Sequence, residues 1–351
     1  MPAGESHLSY QLAARDAEVF TYLEATDQDD AFATLIGESS AMRDVIDIAR
    51  KVSRRGGSNI LLIGETGTGK EVLVRAIHAG SPRSDQPFVA INCAAIPAQL
   101  LESELFGHER GAFTDARQTK QGLIELAGEG TLFLDEVSSL PLDLQPKLLR
   151  ALEERRVRRV GGFEEIEIRC RLAAATNVPL EELVREGTFR EDLFYRLNVL
   201  RLVIPPLRER VGDVAALTRY FMEDLARAHG LESVRLTPAA STVLKEHGWP
   251  GNVRELKNVL ERALCMCDGS DVDVQHLALG RSPRRSQPET TDLGGVIQVP
   301  TEGRSLRSVE GELVRLTMTL TEGNKSAAAR ILGISRPTLH RKIKEHDLSS
   351  V

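Results

Sequence analysis

The stretch Gly64-Glu65-Thr66-Gly67-Thr68-Gly69-Lys70 constrains what this chain can fold into more than any other. It follows the apolar run Ile60 to Ile63 and leads into a helical pattern carried by Val72, Leu73, Ala76 and Ile77. A strand, a glycine-rich turn and a helix start, in that order, make a phosphate-binding loop. The glycines let backbone N–H groups curl around phosphate oxygens, the helix N-terminus adds partial positive charge, and Lys70 reaches the β- and γ-phosphates. A mere glycine-rich turn with a surface lysine would not account for the strand before it and the helix after it. Glu71 stands where a magnesium-binding Ser or Thr is usual, so the loop specifies a phosphate site more firmly than a metal ligand.

Such a loop needs a parallel sheet behind it, and four more runs supply one. Phe88 to Ile91 leads into Asn92, Thr131 to Leu134 into Asp135 and Glu136, Leu172 to Ala175 into Thr176 and Asn177, and Val199 to Ile204 into Pro205. Four of the five strands thus end in a polar or glycine-rich group, and ligands of an open α/β sheet bind at that carboxyl edge. Asp135 is suited to hold Mg2+ through water and Glu136 to orient and deprotonate an attacking water, which is the chemistry of a nucleoside triphosphatase. Asn92 can hydrogen-bond Glu136 and hold it off; Asn177 can orient the water or sense the γ-phosphate. Either asparagine alone suits a cap or turn as well. Their shared edge position favours the site.

The rest of the chain is arranged around this core. Residues 1–33 hold one amphipathic stretch (Leu12, Val19, Phe20, Leu23) and an acidic run (Asp27, Asp29, Asp30), too little for a domain. Strand and helix patterns alternate over 34–208, helical periodicity alone fills 209–280, and 281–303 reads as a linker rich in Pro, Gly, Ser and Thr. The expected fold class is α/β, a parallel sheet with a helical domain, followed by a small all-α module over 304–351. The net charge of −6 argues against nucleic-acid binding by the whole molecule, yet residues 304–351 hold nine Lys and Arg against five Asp and Glu, so the tail alone is basic. No apolar run approaches the roughly 18 residues of a membrane helix, and no signal-peptide order opens the chain. No membrane partner is expected, and the chain reads as cytoplasmic. Cys93, Cys170, Cys265 and Cys267 have neither disulfide nor zinc spacing and read as small hydrophobes.

The basic tail carries its own pattern. Asn324 to Leu332 is small and helical, Gly333-Ile334 turns, and Ser335 caps a helix that Pro337 can open because its first turn needs no N–H partner. Leu332, Ile334, Leu339 and Ile343 give an apolar face, leaving Ser335, Arg336, Thr338, His340, Arg341, Lys342 and Lys344 for DNA. A helical pair with no DNA role is the alternative.

The strings GETGTGKE (Gly64 to Glu71), LFGHERGAFTDA (Leu105 to Ala116), GTLFLDE (Gly130 to Glu136), AATN (Ala174 to Asn177), FREDLFYRLNV (Phe189 to Val199), PPLRER (Pro205 to Arg210) and WPGNVRELKN (Trp249 to Asn258) together give a specific pattern. It resembles the NtrC-type bacterial enhancer-binding proteins, sigma-54-dependent activators within the AAA+ ATPases, over about Leu35 to Leu279 and about the last forty-five residues. The resemblance implies a AAA+ sheet with a helical lid and a Fis-type helix-turn-helix, working on ATP with Mg2+. Arg190 and Arg196 match its arginine-finger region, offered to the neighbouring subunit's nucleotide, which implies a ring, normally a hexamer. A finger in trans can raise hydrolysis by roughly 10³ to 10⁵. Arg254 matches the sensor arginine that couples the γ-phosphate to the lid.

Gly111, Ala112, Phe113, Thr114, Asp115 and Ala116 match the loop that contacts sigma-54, whose usual form has glycine in place of Asp115. Arg155, Arg156, Arg158 and Arg159 occupy the family's second pore-facing hairpin or form a solvated run; both readings stand. The Fis-type module implies dimers through roughly Leu306 to Leu320 and a pseudo-palindromic site in double-stranded DNA. The implied partner is the sigma-54 RNA polymerase holoenzyme, remodelled so that the open complex can form. Many members begin with a receiver domain, whereas here the ATPase starts almost at once; control is expected from a separate inhibitor, a partner subunit or expression level. A regulator acting without sigma-54 is favoured only by Asp115, and an unfolding or clamp-loading machine is disfavoured by the sigma-contact loop and the tail.

Overall fold

Alternating side chains, buried on both faces, build the sheet that carries the phosphate loop. The computed structural model describes residues 20–22, 31–55, 57–230, 234–267, 271–279, 306–321 and 323–346. In chain order it runs β1 (Phe20–Tyr22), α1 (Ser40–Ser53), β2 (Ile60–Ile63), α2 (Lys70–Ala79), β3 (Phe88–Asn92), α3 (Ala98–Phe106), β4 (Gly107–His108), β5 (Lys120–Gln121) and α4 (Leu123–Leu126). There follow β6 (Thr131–Asp135), α5 (Gln145–Glu154), β7 (Arg156–Val157), β8 (Ile166–Glu167), β9 (Arg171–Thr176), α6 (Leu180–Arg185), α7 (Glu191–Leu197) and β10 (Leu200–Val203).

The main sheet has six strands in the order β1-β3-β6-β9-β2-β10. β3, β6, β9, β2 and β10 are parallel, as the five runs predict. Successive residues go to opposite cores: Leu132, Leu134, Leu172 and Ala174 pack with Leu148 of α5 and Leu193 of α7, while Phe133, Ala173 and Ala175 pack with Val45 of α1 and Ile77 of α2. Helices on both faces explain why these strands read as unbroken apolar runs. Register aligns their carboxyl ends, Asn92 opposite Asp135 and Ile63 opposite Thr176. The amphipathic N-terminal stretch contributes something the sequence did not suggest: Phe20–Tyr22 forms an edge strand antiparallel to β3. Leu12, Val19, Leu23, the acidic run at 27–30 and the linker at 281–303 lie outside the described residues.

Beyond β10 the helical expectation holds, with one addition. α8 (Gly212–Ala228), α9 (Pro238–Glu246) and α10 (Asn252–Met266) pack around Trp249, which is fully buried and donates its indole N–H to the Leu244 carbonyl at 2.9 Å. A short parallel pair, β11 (Arg235–Leu236) and β12 (Asp271–Val272), was not foreseen; runs of two residues carry no readable alternation.

The described residues from 306 to 346 belong to a compact unit separate from the residues before them. It contains α11 (Leu306–Leu320), α12 (Lys325–Ile331) and α13 (Arg336–Glu345) around Val314, Met318, Ala328, Ala329, Leu339 and Ile343, with Leu332 and Ile334 at the rim. Asn324 caps α12 by accepting from the Ser326 and Ala327 N–H groups, and Gly333 turns the chain at φ 64°.

Candidate nucleotide site

Glycine is required in the phosphate loop for both conformation and space. Gly67 and Gly69 have φ of 80° and 104°, and a Cβ on Gly67 would stand 2.3 Å from the Gly251 carbonyl oxygen. Lys70 opens α2 and is buried; its Nζ donates to the carbonyls of Gly64 and Glu65 at 2.8 and 3.2 Å. Burial pulls its pKa down, opposed by the negative charges of Asp135 and Glu136. Glu71 turns away onto Arg75, accepting at 3.0 and 2.6 Å.

Asp135 ends β6 and accepts the Glu136 backbone N–H at 3.0 Å. Burial pushes its carboxyl above the ordinary value, against that hydrogen bond and the attraction of Lys70. A half-buried carboxylate held beside a phosphate loop suits a Mg2+ ion, which typically takes one or two carboxylates and fills its shell with water and phosphate oxygens. Glu136 has φ 51°, the left-handed region, at the point where strand gives way to turn. The neighbouring Cys93 thiol is pushed up to about 12 by burial and the two carboxylates, so it stays protonated.

The two edge asparagines behave differently. Asn177 donates its amide to Thr66 Oγ1 at 3.2 Å, on the phosphate loop itself. Asn92 lies level with Asp135, but its side-chain oxygen accepts the Ala94 N–H at 2.9 Å. That bond closes its own turn and leaves the amide N–H2 free to donate, but among the described residues no hydrogen bond from Asn92 to Glu136 is made.

Several residues that sequence reasoning passed over join this site to the helical lid. The Gly67 carbonyl accepts the N–H groups of Val253 and Arg254, at 2.9 and 3.3 Å, from the first turn of α10. Asn252, fully buried with φ 53°, donates its amide to Glu65 Oε2 and the Thr66 carbonyl, both at 3.1 Å, and accepts the Leu207 N–H at 2.7 Å. Arg208 makes a two-pronged contact with Glu65 at 2.7 and 2.6 Å that holds the Glu65 carboxyl below its usual range. Arg210, buried, donates to the Thr68 carbonyl at 2.9 Å and lies 3.9 Å from the buried Asp213 carboxylate. The one available signal was an asparagine after Gly251, since asparagine tolerates the left-handed region. Arg254 itself is exposed.

Neither candidate finger touches the phosphate loop of its own chain. Arg190 caps α7, is exposed, and pairs with Asp192 at 2.6 Å; Arg196 donates to the Leu152 carbonyl at 2.8 Å.

Between α3 and α4, the segment 111–116 is a tight loop closed by the Gly111 N–H on the Ala116 carbonyl at 2.8 Å, with Phe113 exposed and edge-on to His108 at 4.9 Å. Thr114 and Asp115 are exposed beside it, and Ala116 is buried. The four arginines of the second hairpin are bound up within the fold. Arg156 and Arg158 clasp Glu165, Arg159 bridges Glu109 and Glu125, and Arg155 donates to the Cys170 carbonyl.

In the tail unit Ser335 caps α13 by accepting the Thr338 N–H at 3.3 Å, and Arg336, His340, Arg341 and Lys344 are exposed on that helix. Lys342 is turned inward: Glu310 of α11 holds its ammonium at 2.8 Å and raises its pKa.

Comparison with known proteins gives this arrangement a context. Residues 35–203 match the sigma-54 interaction domain, 208–292 a AAA+ ATPase lid domain, and 305–346 the bacterial regulatory protein, Fis family. The chain is 42% identical over 342 residues to the regulatory protein AtoC of Escherichia coli K12, covering 96% of this chain and 73% of that one. It is 45% identical over 328 residues to the DNA-binding transcriptional regulator NtrC of Salmonella typhimurium LT2, covering 89% and 70%. Among solved structures, NtrX from Brucella abortus in complex with ADP superposes with a TM-score of 0.66 at 34% identity, covering 91% of this chain and 71% of that one. The same protein has been solved in complex with ATP, again with a TM-score of 0.66.

Proposed function

The chain belongs to the NtrC-type sigma-54-dependent activators, and from that premise we propose how its residues divide the work. It is an ATP-hydrolysing transcriptional activator that binds DNA through a Fis-type helix-turn-helix and acts on sigma-54 RNA polymerase. The observation that carries our assignment of the site is the convergence on one phosphate loop of the Asp135–Glu136 edge, Asn177 and the first turn of α10. The loop Gly64 to Lys70 cradles the phosphates, with Lys70 transferring its hydrogen bonds from loop carbonyls to phosphate oxygens. Asp135 would hold Mg2+ through water, and the ion would supply positive charge against the phosphates. Glu136 takes the proton of the attacking water, and Asn177, already on Thr66, reads the γ-phosphate. Arg254 carries the nucleotide's state into the lid, since its backbone and that of Val253 are bonded to Gly67.

Arg190 and Arg196 serve the neighbouring subunit's nucleotide. Their partners at home lie away from the loop, which supports a ring assembly, a hexamer built from dimers joined through α11. We divide the chain into an ATPase core over 34–208, a lid over 209–280 and a DNA-binding module over 304–351. The loop 111–116 delivers the motion to sigma-54, and Ser335, Arg336, Thr338, His340 and Arg341 face DNA. Regulation by a separate protein and action in the cytoplasm complete the proposal; among the described residues no helix is long and apolar enough to cross a membrane.

Strand opening at a sigma-54 promoter tests the whole reading. Wild-type protein with ATP should open the promoter, and Thr114→Ala should hydrolyse ATP while failing to bind sigma-54 in the presence of ADP–aluminium fluoride. Opening that proceeds equally with ADP, or a Thr114→Ala protein that loses hydrolysis and binding together, would overturn it.

A further inference from the structure

Gln145 is fully buried at the first residue of α5, where Pro146 in the opening turn needs no N–H partner. A buried carboxamide costs free energy unless its hydrogen bonds are met, and here they are. Its amide donates to the Leu140 carbonyl at 3.0 Å and the Thr188 carbonyl at 3.1 Å, while its oxygen accepts the Arg190 N–H at 2.8 Å. Two carbonyls and one N–H dictate both the residue type and the way the amide faces. Methionine, of similar shape, would leave all three unmet; an ionised glutamate could accept from Arg190 but could not donate.

These partners belong to two separate parts of the proposed reaction. Leu140 ends the turn that follows Glu136: the Ser139 N–H is bonded to the Glu136 carbonyl at 2.9 Å, and the Leu140 N–H to the Val137 carbonyl at 3.1 Å. Arg190 caps α7, and its guanidinium is exposed and paired with Asp192. Gln145 therefore fixes the backbone of this arginine and leaves its head free to reach outward. Arg196 is held differently, through its carbonyl by Asn59 at 3.1 Å and through its guanidinium by the Leu152 carbonyl, contacts that do not involve the turn after Glu136.

We infer that Gln145 is a positioning residue for hydrolysis, holding the finger Arg190 to the turn behind Glu136 so that it meets the neighbouring subunit's nucleotide. This rests on the reading of Arg190 as a finger in trans. Burial gives the tie its stiffness: out of reach of water, the carboxamide has no alternative partner, and each bond it gave up would leave a buried group unmet. Its three partners all lie outside the phosphate loop. Losing the tie should therefore slow turnover in the neighbour and leave ATP binding at home intact.

The test measures ATPase rate, fluorescent-ATP binding and sedimentation of Gln145→Met, Gln145→Glu and Arg190→Ala in the full chain, each alone and in mixed rings with Lys70→Ala, whose fingers are intact. A group displaced by roughly 1 Å can cost about 100-fold in rate, so Gln145→Met should lose about that much in kcat, with ATP affinity and assembly as in wild type. Gln145→Glu keeps an acceptor for the Arg190 N–H and should fall between the two. Adding Lys70→Ala protein should restore part of the activity of either Gln145 variant, because an intact phosphate site then meets a well-placed finger. Adding Arg190→Ala protein should restore none. A residue that merely packs α5 would not produce that contrast. If Arg190→Ala is inactive alone and rescued by Lys70→Ala while both Gln145 variants keep wild-type turnover, the inference fails and the finger stands; if Arg190→Ala hydrolyses as wild type, both fail. Weakened ATP binding in the Gln145 variants, or no rescue by Lys70→Ala, would put the effect in the subunit's own site and overturn the proposal. Should Gln145→Met not fold, Gln145→Glu decides by the same criteria.

Discussion

Replacing Asn252 with glycine removes one side chain from the junction of loop and lid while leaving its backbone at ease. With φ of 53° the position suits glycine at least as well as asparagine, so the variant tests the carboxamide and not the turn. Three hydrogen bonds go. The Leu207 N–H loses its acceptor at 2.7 Å, in a buried setting where an unmet donor costs about 1–3 kcal/mol. The bond to the Thr66 carbonyl contributes about 0.5–1.5 kcal/mol. The bond to Glu65, whose carboxylate keeps Arg208, adds roughly 1 kcal/mol more. With glycine's extra freedom in the unfolded chain, the total loss is about 4 kcal/mol. Since two of the bonds cross from lid to phosphate loop, roughly 2 kcal/mol of this should appear as weaker nucleotide affinity, or about 30-fold in KM for ATP. Urea unfolding and ATPase kinetics read the two effects separately. Asn252→Asp can still accept from Leu207 but sets a buried carboxylate against Glu65 and the Thr66 carbonyl, so it should lose at least as much stability as the glycine variant and share its KM defect. A glycine variant within about 1 kcal/mol of wild type and with unchanged KM would refute the reasoning.

Lys70→Ala should lose ATP binding, whereas Glu136→Gln should bind ATP and scarcely release phosphate; near-wild-type turnover by Glu136→Gln would remove it as the base. Mixing Lys70→Ala with Arg196→Ala protein should restore part of the ATPase that each lacks alone, and no recovery in confirmed mixed rings would count against a finger in trans. Deleting residues 304–351 should abolish a sequence-specific footprint while ATPase survives at high protein concentration. Within that tail, at least one of Arg336→Ala and Arg341→Ala should relax sequence preference by about 1–3 kcal/mol, and unaltered preference in the double variant would place DNA reading elsewhere. Burial lowers the His78 pKa from 6.5 to about 4, so as pH falls through that window the unfolded chain gains a proton that the folded one refuses. Stability should fall by up to about 3 kcal/mol over that range, with a flatter profile in His78→Gln; parallel urea profiles would sink the assignment.

The sheet was legible because buried strands leave unbroken apolar runs and their edge residues are polar, so the sequence alone assigns Asn92, Asp135 and Asn177 to one rim. Residues that act through the backbone were not. Asn252 reaches Thr66 and Leu207, and Arg210 reaches Thr68, across separations no local pattern encodes. Lys342 looked like part of a basic DNA-facing row, yet Glu310, 32 residues earlier, draws it inward. The hairpin arginines read equally well as pore-facing or solvated, and the fold pairs Arg156, Arg158 and Arg159 with glutamates and Arg155 with the Cys170 carbonyl. Asn92 went the other way: its place on the rim was readable, but the turn its side-chain oxygen closes with the Ala94 N–H was not.

The left-handed backbone of Glu136 sets durability against chemistry at a single position. A non-glycine residue held there costs on the order of 1–2 kcal/mol, which asparagine would reduce and glycine remove. Selection for heat resistance alone would therefore favour replacements at position 136 that leave a tougher, catalytically silent protein. Selection for promoter output would hold the glutamate in place and recover the lost stability elsewhere in the fold.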